Sequence, residues 1–104
     1  MDHDQREICL IDMGITSMAK LELPEILINL NLHSNAIKEI SNVTNLVQMK
    51  YLDLSSNHIK KISGINSCVS LQILNLACNE LSKVEGIEKL RLVCFRNVLV
   101  SFVT

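Results

Sequence analysis

His33 and Asp53 are the side chains of this sequence best suited to move a proton, since a histidine beside a carboxylate serves as a general base. The sequence holds no motif that would complete such a site. It has no G-x-S-x-G, H-E-x-x-H or G-x-x-x-x-G-K run, and its three glycines, Gly14, Gly64 and Gly86, are not grouped to cradle a phosphate. His3 and His58 stand alone and read as solvated. Cys9, Cys68, Cys78 and Cys94 form no C-x-x-C pair and have no histidine at ligand spacing, so they read as reduced structural thiols. The expectation is therefore no catalytic residue, no metal, no cofactor and no enzyme activity.

The chain that must position these residues is 104 long, 48% hydrophobic and 20% charged, which suits one soluble domain, 1–104. Its net charge is -1, and no basic run exceeds the pair Lys60 and Lys61. That leaves no electrostatic footprint for nucleic acid or an anionic membrane. The amino end, MDHDQREICL, lacks a basic stretch followed by an apolar one, so no signal peptide is read and a cytoplasmic location is expected. Asn42-Val43-Thr44 matches the glycosylation triplet, but without secretion the match has no chemistry to meet it.

Self-similarity organises the sequence. LINLNLHSNAIKEISNVTNLVQ from Leu27, MKYLDLSSNHIKKISGINSCVS from Met49 and LQILNLACNELSKVEGIEKLRL from Leu71 align at a spacing of 22 without insertion, giving repeats 27–48, 49–70 and 71–92. The shared shape, L-x-x-L-x-L-x-x-N-x-I/L-x-x-I/V-x-x-I/V, is that of the leucine-rich repeat. Leu30, Leu52 and Leu74, with Leu32, Leu54 and Leu76 two residues on, fall on one side of a short strand because side chains alternate with period two. Stacked strands then close an interior that no single repeat could bury. After each strand Asn35, Asn57 and Asn79 stand where the chain turns inward, and an amide that both donates and accepts satisfies backbone groups there. These three are expected to form a structural ladder, not a ligand site.

Beyond the asparagines, apolar residues recur every third position: Ile37, Ile40 and Val43, then Ile59, Ile62 and Ile65, then Leu81, Val84 and Ile87. That spacing predicts tight 3₁₀-like or irregular returns. Counting back by 22 places Ile8, Leu10, Ile15, Met18 and Leu21 on the same columns, with Met13 at the asparagine position and Pro24 at the last core column. Residues 5–26 thus read as a degenerate amino-terminal capping repeat. The fold expected is an α/β solenoid, an arc with a short parallel β-sheet on its concave face and 3₁₀ or irregular returns on its convex face.

In such solenoids the concave face is the usual contact surface. The outward strand positions there include Asn29, Tyr51 and Ile73, then Asn31, Asp53 and Asn75, then His33 and Ser55. Tyr51 is the candidate anchor for a protein partner, because aromatic residues are over-represented at interface hot spots. An ordinary solvated strand face is an equally good reading of the same residues. Lys38, Lys60, Lys61 and Lys83 fall on the returns, where a charged outer surface keeps a protein soluble.

The repeat class resembles that of the regulatory subunit of protein phosphatase 1. Within it, ICLIDMGITSM, NLHSNAIKEI, YLDLSSNHIKKISGI and LNLACNELSKVEGIEKL resemble the amino-terminal repeats of the leucine-rich repeat and coiled-coil centrosomal protein family. The second resemblance implies a non-catalytic adaptor at the centrosome, spindle pole or cilium. The first implies a module that binds and regulates an enzyme such as a phosphatase, and a product with no independent role is the third reading. That family carries further repeats and a long coiled coil after this region, so the array reads as truncated.

The tail RLVCFRNVLVSFVT departs from the pattern. A count of 22 expects leucines at 96 and 98 and an asparagine at 101, where the chain has Arg96, Val98 and Ser101. Its β-branched content still suits a strand, so residues 93–104 are expected to add one irregular strand to the edge beyond Leu76. An uncharged edge of that kind can template self-association.

Overall fold

The computed structural model describes residues 5–81 and the backbone of residues 97–102. The core positions expected at Val84 and Ile87, together with His3, Lys83, Gly86 and Cys94, lie outside the described residues. Five strands run in sequence order through one parallel sheet: β1 (Glu7–Cys9), β2 (Asn29–Asn31), β3 (Tyr51–Asp53), β4 (Ile73–Leu81) and β5 (Asn97–Phe102). The register advances by one repeat at each step, with Ile8 opposite Leu30, Leu30 opposite Leu52 and Leu52 opposite Leu74. This is the solenoid arc expected of leucine-rich repeats, with almost no helix among the described residues. Among the described residues no helix is long and apolar enough to cross a membrane.

The interior forms because equivalent residues stack. Leu30, Leu52 and Leu74, and Leu32, Leu54 and Leu76, are all buried. On the convex side the three-residue apolar spacing has a direct cause. Backbone bonds run from the Leu46 N–H to the Val43 carbonyl and from Met49 to Leu46, then from Cys68 to Ile65 and from Leu71 to Cys68. Each bond closes a turn of three residues, so every third side chain points inward. Val43, Leu46 and Met49, like Ile65, Cys68 and Leu71, are buried as a result. The returns are thus chained turns, and the described residues include a single 3₁₀ helix, Met18–Lys20, which Ser17 caps by accepting the Ala19 N–H at 3.2 Å.

Positive φ values recur at the same period. Asp12, Ser34, Ser56 and Cys78 have φ of 55°, 61°, 55° and 58°. Each is the residue at which the chain turns from the concave face into the interior. A second left-handed position holds Asn42 and Gly64, again 22 apart. Asn42 offsets the strain there with side-chain bonds to the Met18 and Leu21 carbonyls at 3.1 and 2.7 Å.

The carboxyl-terminal strand keeps the architecture but changes the count. β5 pairs parallel with β4, with Ile73 opposite Asn97, Leu74 opposite Val98 and Leu76 opposite Val100. The offset is 24 where the inner repeats step by 22. Val98 and Val100 thereby take the register positions of core leucines, which the count of 22 had assigned to Arg96 and Val98. A register shift follows between Leu76 and Leu81, within a β4 of nine residues where the earlier strands have three.

Two glycines separate left-handed strain from crowding. Gly64, at φ 74°, would place an added Cβ 3.3 Å from the Ile40 carbonyl oxygen, whereas Gly14, at φ 67°, would meet nothing within 4 Å. Gly14→Ala is expected to cost about 1 kcal/mol and Gly64→Ala about 2 kcal/mol or more. Urea midpoints for the two variants check the order, and an equal loss at both sites would remove the role assigned to the Ile40 contact.

Candidate functional site

The concave face gathers most of the residues that the repeat pattern placed there. Asn29, Asn31, Tyr51, Asp53, Ile73 and Asn75, with Leu52 as floor, line a shallow hollow of about 250 Å³. Strand pairing sets Tyr51 between Asn29 and Ile73, and neighbouring strands lie about 4.8 Å apart. Tyr51 is 38% and Ile73 is 37% exposed, so two large apolar groups face solvent side by side.

The middle column of this face is held by the fold itself. The Asn31 Oδ1 accepts the His33 N–H at 3.0 Å, the Asp53 Oδ1 accepts the Ser55 N–H at 2.9 Å, and the Asn75 Oδ1 accepts the Ala77 N–H at 3.1 Å. Each is an Asx turn that offers the backbone a side-chain acceptor two residues back, at the last residue of β2 and of β3 and within the longer β4. The 22-residue spacing of Asn, Asp and Asn just after each strand leucine carries the signal for these turns, and the sequence reading attached no turn to it.

His33 and Ser55 lie outside the hollow, at the strand ends. The Ser55 hydroxyl donates to the Asp53 Oδ1 at 2.5 Å, and the His33 Nδ1 lies 2.7 Å from the Ser55 Oγ. The single hydroxyl proton goes to the carboxylate, so Nδ1 must be the donor in its own bond. In a nucleophile-activating site the carboxylate instead orients the imidazole, and the imidazole receives the serine proton. Ser55 is moreover buried. His33, Ser55 and Asp53 therefore form a latch between two repeats, with no geometry for proton abstraction.

The asparagines sit one layer deeper. The Asn57 Nδ2 donates to the carbonyls of Leu32, Leu54 and Ser55 at 3.0, 3.0 and 3.1 Å, while its Oδ1 accepts the Ile37 N–H at 3.0 Å. Asn79 repeats this on Leu54, Leu76, Ala77 and Ile59. Asn35 repeats it on Leu10, Leu32 and Ile15, and also accepts the Met13 N–H. Every member thus serves backbone groups of its own repeat and of the repeat before.

Cys68 packs in the column of Leu46, with its thiol directed at the Val43 carbonyl at 3.5 Å. Burial pushes this thiol up from its ordinary 9.0 to about 11. Cys9 and Cys78 are exposed. Among the described residues no group of three or more His, Cys, Asp or Glu side chains is placed to hold a metal ion.

Comparison with known proteins agrees with this geometry. Residues 47–89 match the family model described as leucine-rich repeats in two copies. Among solved structures the chain is similar to an internalin from Listeria monocytogenes, with a TM-score of 0.74 and 20% sequence identity over 92% of this chain. It spans 34% of the length of that internalin chain. No curated protein sequence matches it significantly.

Two stability measurements follow. Asn57→Ala leaves buried backbone groups unsatisfied and is expected to lower stability by about 1–3 kcal/mol; an unchanged urea midpoint would remove the ladder from the fold's energetics. The Cys68 thiol keeps its proton in the folded state at pH values where the unfolded chain ionises. Its contribution is complete below pH about 9 and is lost as pH rises toward about 11. The urea midpoint should therefore fall less steeply from pH 9 to 11 in Cys68→Val than in the parent protein, and parallel pH profiles would contradict the assignment.

Proposed function

We propose that this leucine-rich repeat protein is a non-catalytic protein-binding module that takes a partner across its concave face, with Tyr51 as the anchor. The observation that carries this reading is the pairing of exposed Tyr51 and Ile73 over a hollow whose other walls are amide and carboxylate groups. Apolar anchors ringed by polar groups match the anatomy of interface hot spots, where a few aromatic residues carry most of the binding energy. The neighbouring Asx turns fix the backbone that frames the hollow, so little order has to be gained on binding.

The finer reading is an adaptor or scaffold at the centrosome, spindle pole or cilium. Its support is the likeness of ICLIDMGITSM and LNLACNELSKVEGIEKL to the amino-terminal repeats of the centrosomal family. The repeat class alone supports regulation of a bound enzyme, such as a phosphatase, through the same face. Both readings use one surface and differ in what occupies it.

Affinity capture with the tagged chain separates them. Tyr51→Ala is expected to reduce recovery of the partner about tenfold or more, with a smaller loss in urea midpoint than Asn57→Ala because the side chain is partly exposed. Recovery of centrosomal scaffold proteins, lost in Tyr51→Ala, supports the adaptor. Recovery of a phosphatase catalytic subunit with the same dependence supports the regulator. Recovery insensitive to Tyr51→Ala overturns the concave-face assignment itself.

A further inference from the structure

The hollow on the concave face holds one carboxylate and no cation. Asp53 lines it, and no lysine, arginine or histidine does. Glu7, which precedes Asn29 and Tyr51 in the same register column, adds a second carboxylate to the outward positions of the sheet. Lys50 stands just before β3 and His33 beyond the end of β2, and neither lines the hollow. The sequence of β5, NVLVSF, contains no charged residue. A larger hollow of about 750 Å³ elsewhere on the arc, with Lys38, His58, Lys60 and Glu80 in its walls, mixes charges of both signs and singles out no ligand.

Asp53 is half-buried and only partly satisfied. Its Oδ1 accepts both the N–H and the hydroxyl of Ser55, at 2.9 and 2.5 Å. Its Oδ2 has no donor among the described residues, where the one ion pair joins His58 to Glu80. Tyr51 and Asp53 alternate onto the same strand face about 7 Å apart, and Ile73 pairs with Tyr51 on the next strand. A molecule that covers Tyr51 and Ile73 therefore covers Asp53 as well. Taking that carboxylate out of water without a counter-charge costs free energy that an apolar or acidic occupant cannot return.

We propose that the partner segment seated on Tyr51 and Ile73 brings a lysine or arginine side chain to the Asp53 Oδ2. This deepens the concave-face reading and rests on it, adding the charge of what binds there. A cation held at Oδ2 also lies near the Tyr51 ring, whose face attracts positive charge. On either side, the Nδ2 groups of Asn31 and Asn75 carry no bond among the described residues and can donate to carbonyls of the same segment.

The test is an NMR titration of the isotope-labelled full chain with acetyl-Gly-Leu-Lys-Leu-Gly-amide. Parallel titrations use peptides with arginine, glutamine or glutamate in place of the lysine. The lysine and arginine peptides are expected to shift the signals of Tyr51, Asp53 and Ile73 saturably, about tenfold more tightly than the glutamine peptide, and to weaken with added salt. Asp53→Asn keeps the Oδ1 acceptor of the turn, as Asn31 and Asn75 do at the equivalent positions. It should bring the affinity of the lysine peptide down to that of the glutamine peptide. Equal binding of the lysine and glutamine peptides to the parent protein overturns the proposal without recourse to any variant, as does tighter binding of the glutamate peptide. No saturable shift from either cationic peptide overturns it too. Those outcomes leave the concave-face reading standing, because that reading falls on partner capture that is insensitive to Tyr51→Ala.

Discussion

The arc depends on one constraint: each time the chain leaves a strand it carries peptide groups into an interior without water. Such groups cost free energy unless paired, and the geometry of the turn prevents them from pairing among themselves. The side chain that pairs them comes from the next repeat. Asn57 reaches back to Leu32 and Ile37, and Asn79 to Leu54 and Ile59. Each repeat is therefore incomplete until its successor is in place, and the dependence runs in one direction along the chain. Burial of the leucine columns supplies the larger free energy, but the ladder fixes the step between them.

The left-handed residues and the chained turns are consequences of that step. A chain that must turn sharply inward just before the asparagine position, held by Met13 in the first repeat, adopts positive φ at Asp12, Ser34, Ser56 and Cys78. The return must then cover the back of the core within the length left in the repeat. Successive three-residue turns do so while directing an apolar side chain inward at each closure. Cys68 is one of those inward positions, which accounts for a thiol with the environment of a leucine.

Much of this was legible because it is periodic. The strand leucines, the asparagines and the apolar columns of the returns all declare themselves at a spacing of 22, and Tyr51 stands out as the one tyrosine on an outward position. Other features were hidden for identifiable reasons. The left-handed column holds Asp, Ser, Ser and Cys, so no glycine marks it. The last strand was expected, but its offset of 24 was not, because two added residues move the alternation of VLV into register while breaking the count. The hollow walled by Lys38, His58, Lys60 and Glu80 draws on three adjacent repeats and has no signature within any one of them. Asn31, Asp53 and Asn75 were read for their outward placement alone, although each is also fastened to the backbone.

That fastening uses one atom of each side chain and leaves the other unassigned. The Asx turn requires the Oδ1 and is indifferent to whether its companion is an amide nitrogen or a carboxylate oxygen. Along the face the companions read as donor at Asn31, acceptor at Asp53 and donor at Asn75, spaced by the strands. Exchange of Asn and Asp at these positions keeps the turn and inverts what an approaching molecule meets. The arc thus carries a short alphabet in which shape is spelled by one oxygen and recognition by its neighbour, so that selection can rewrite the second without disturbing the first.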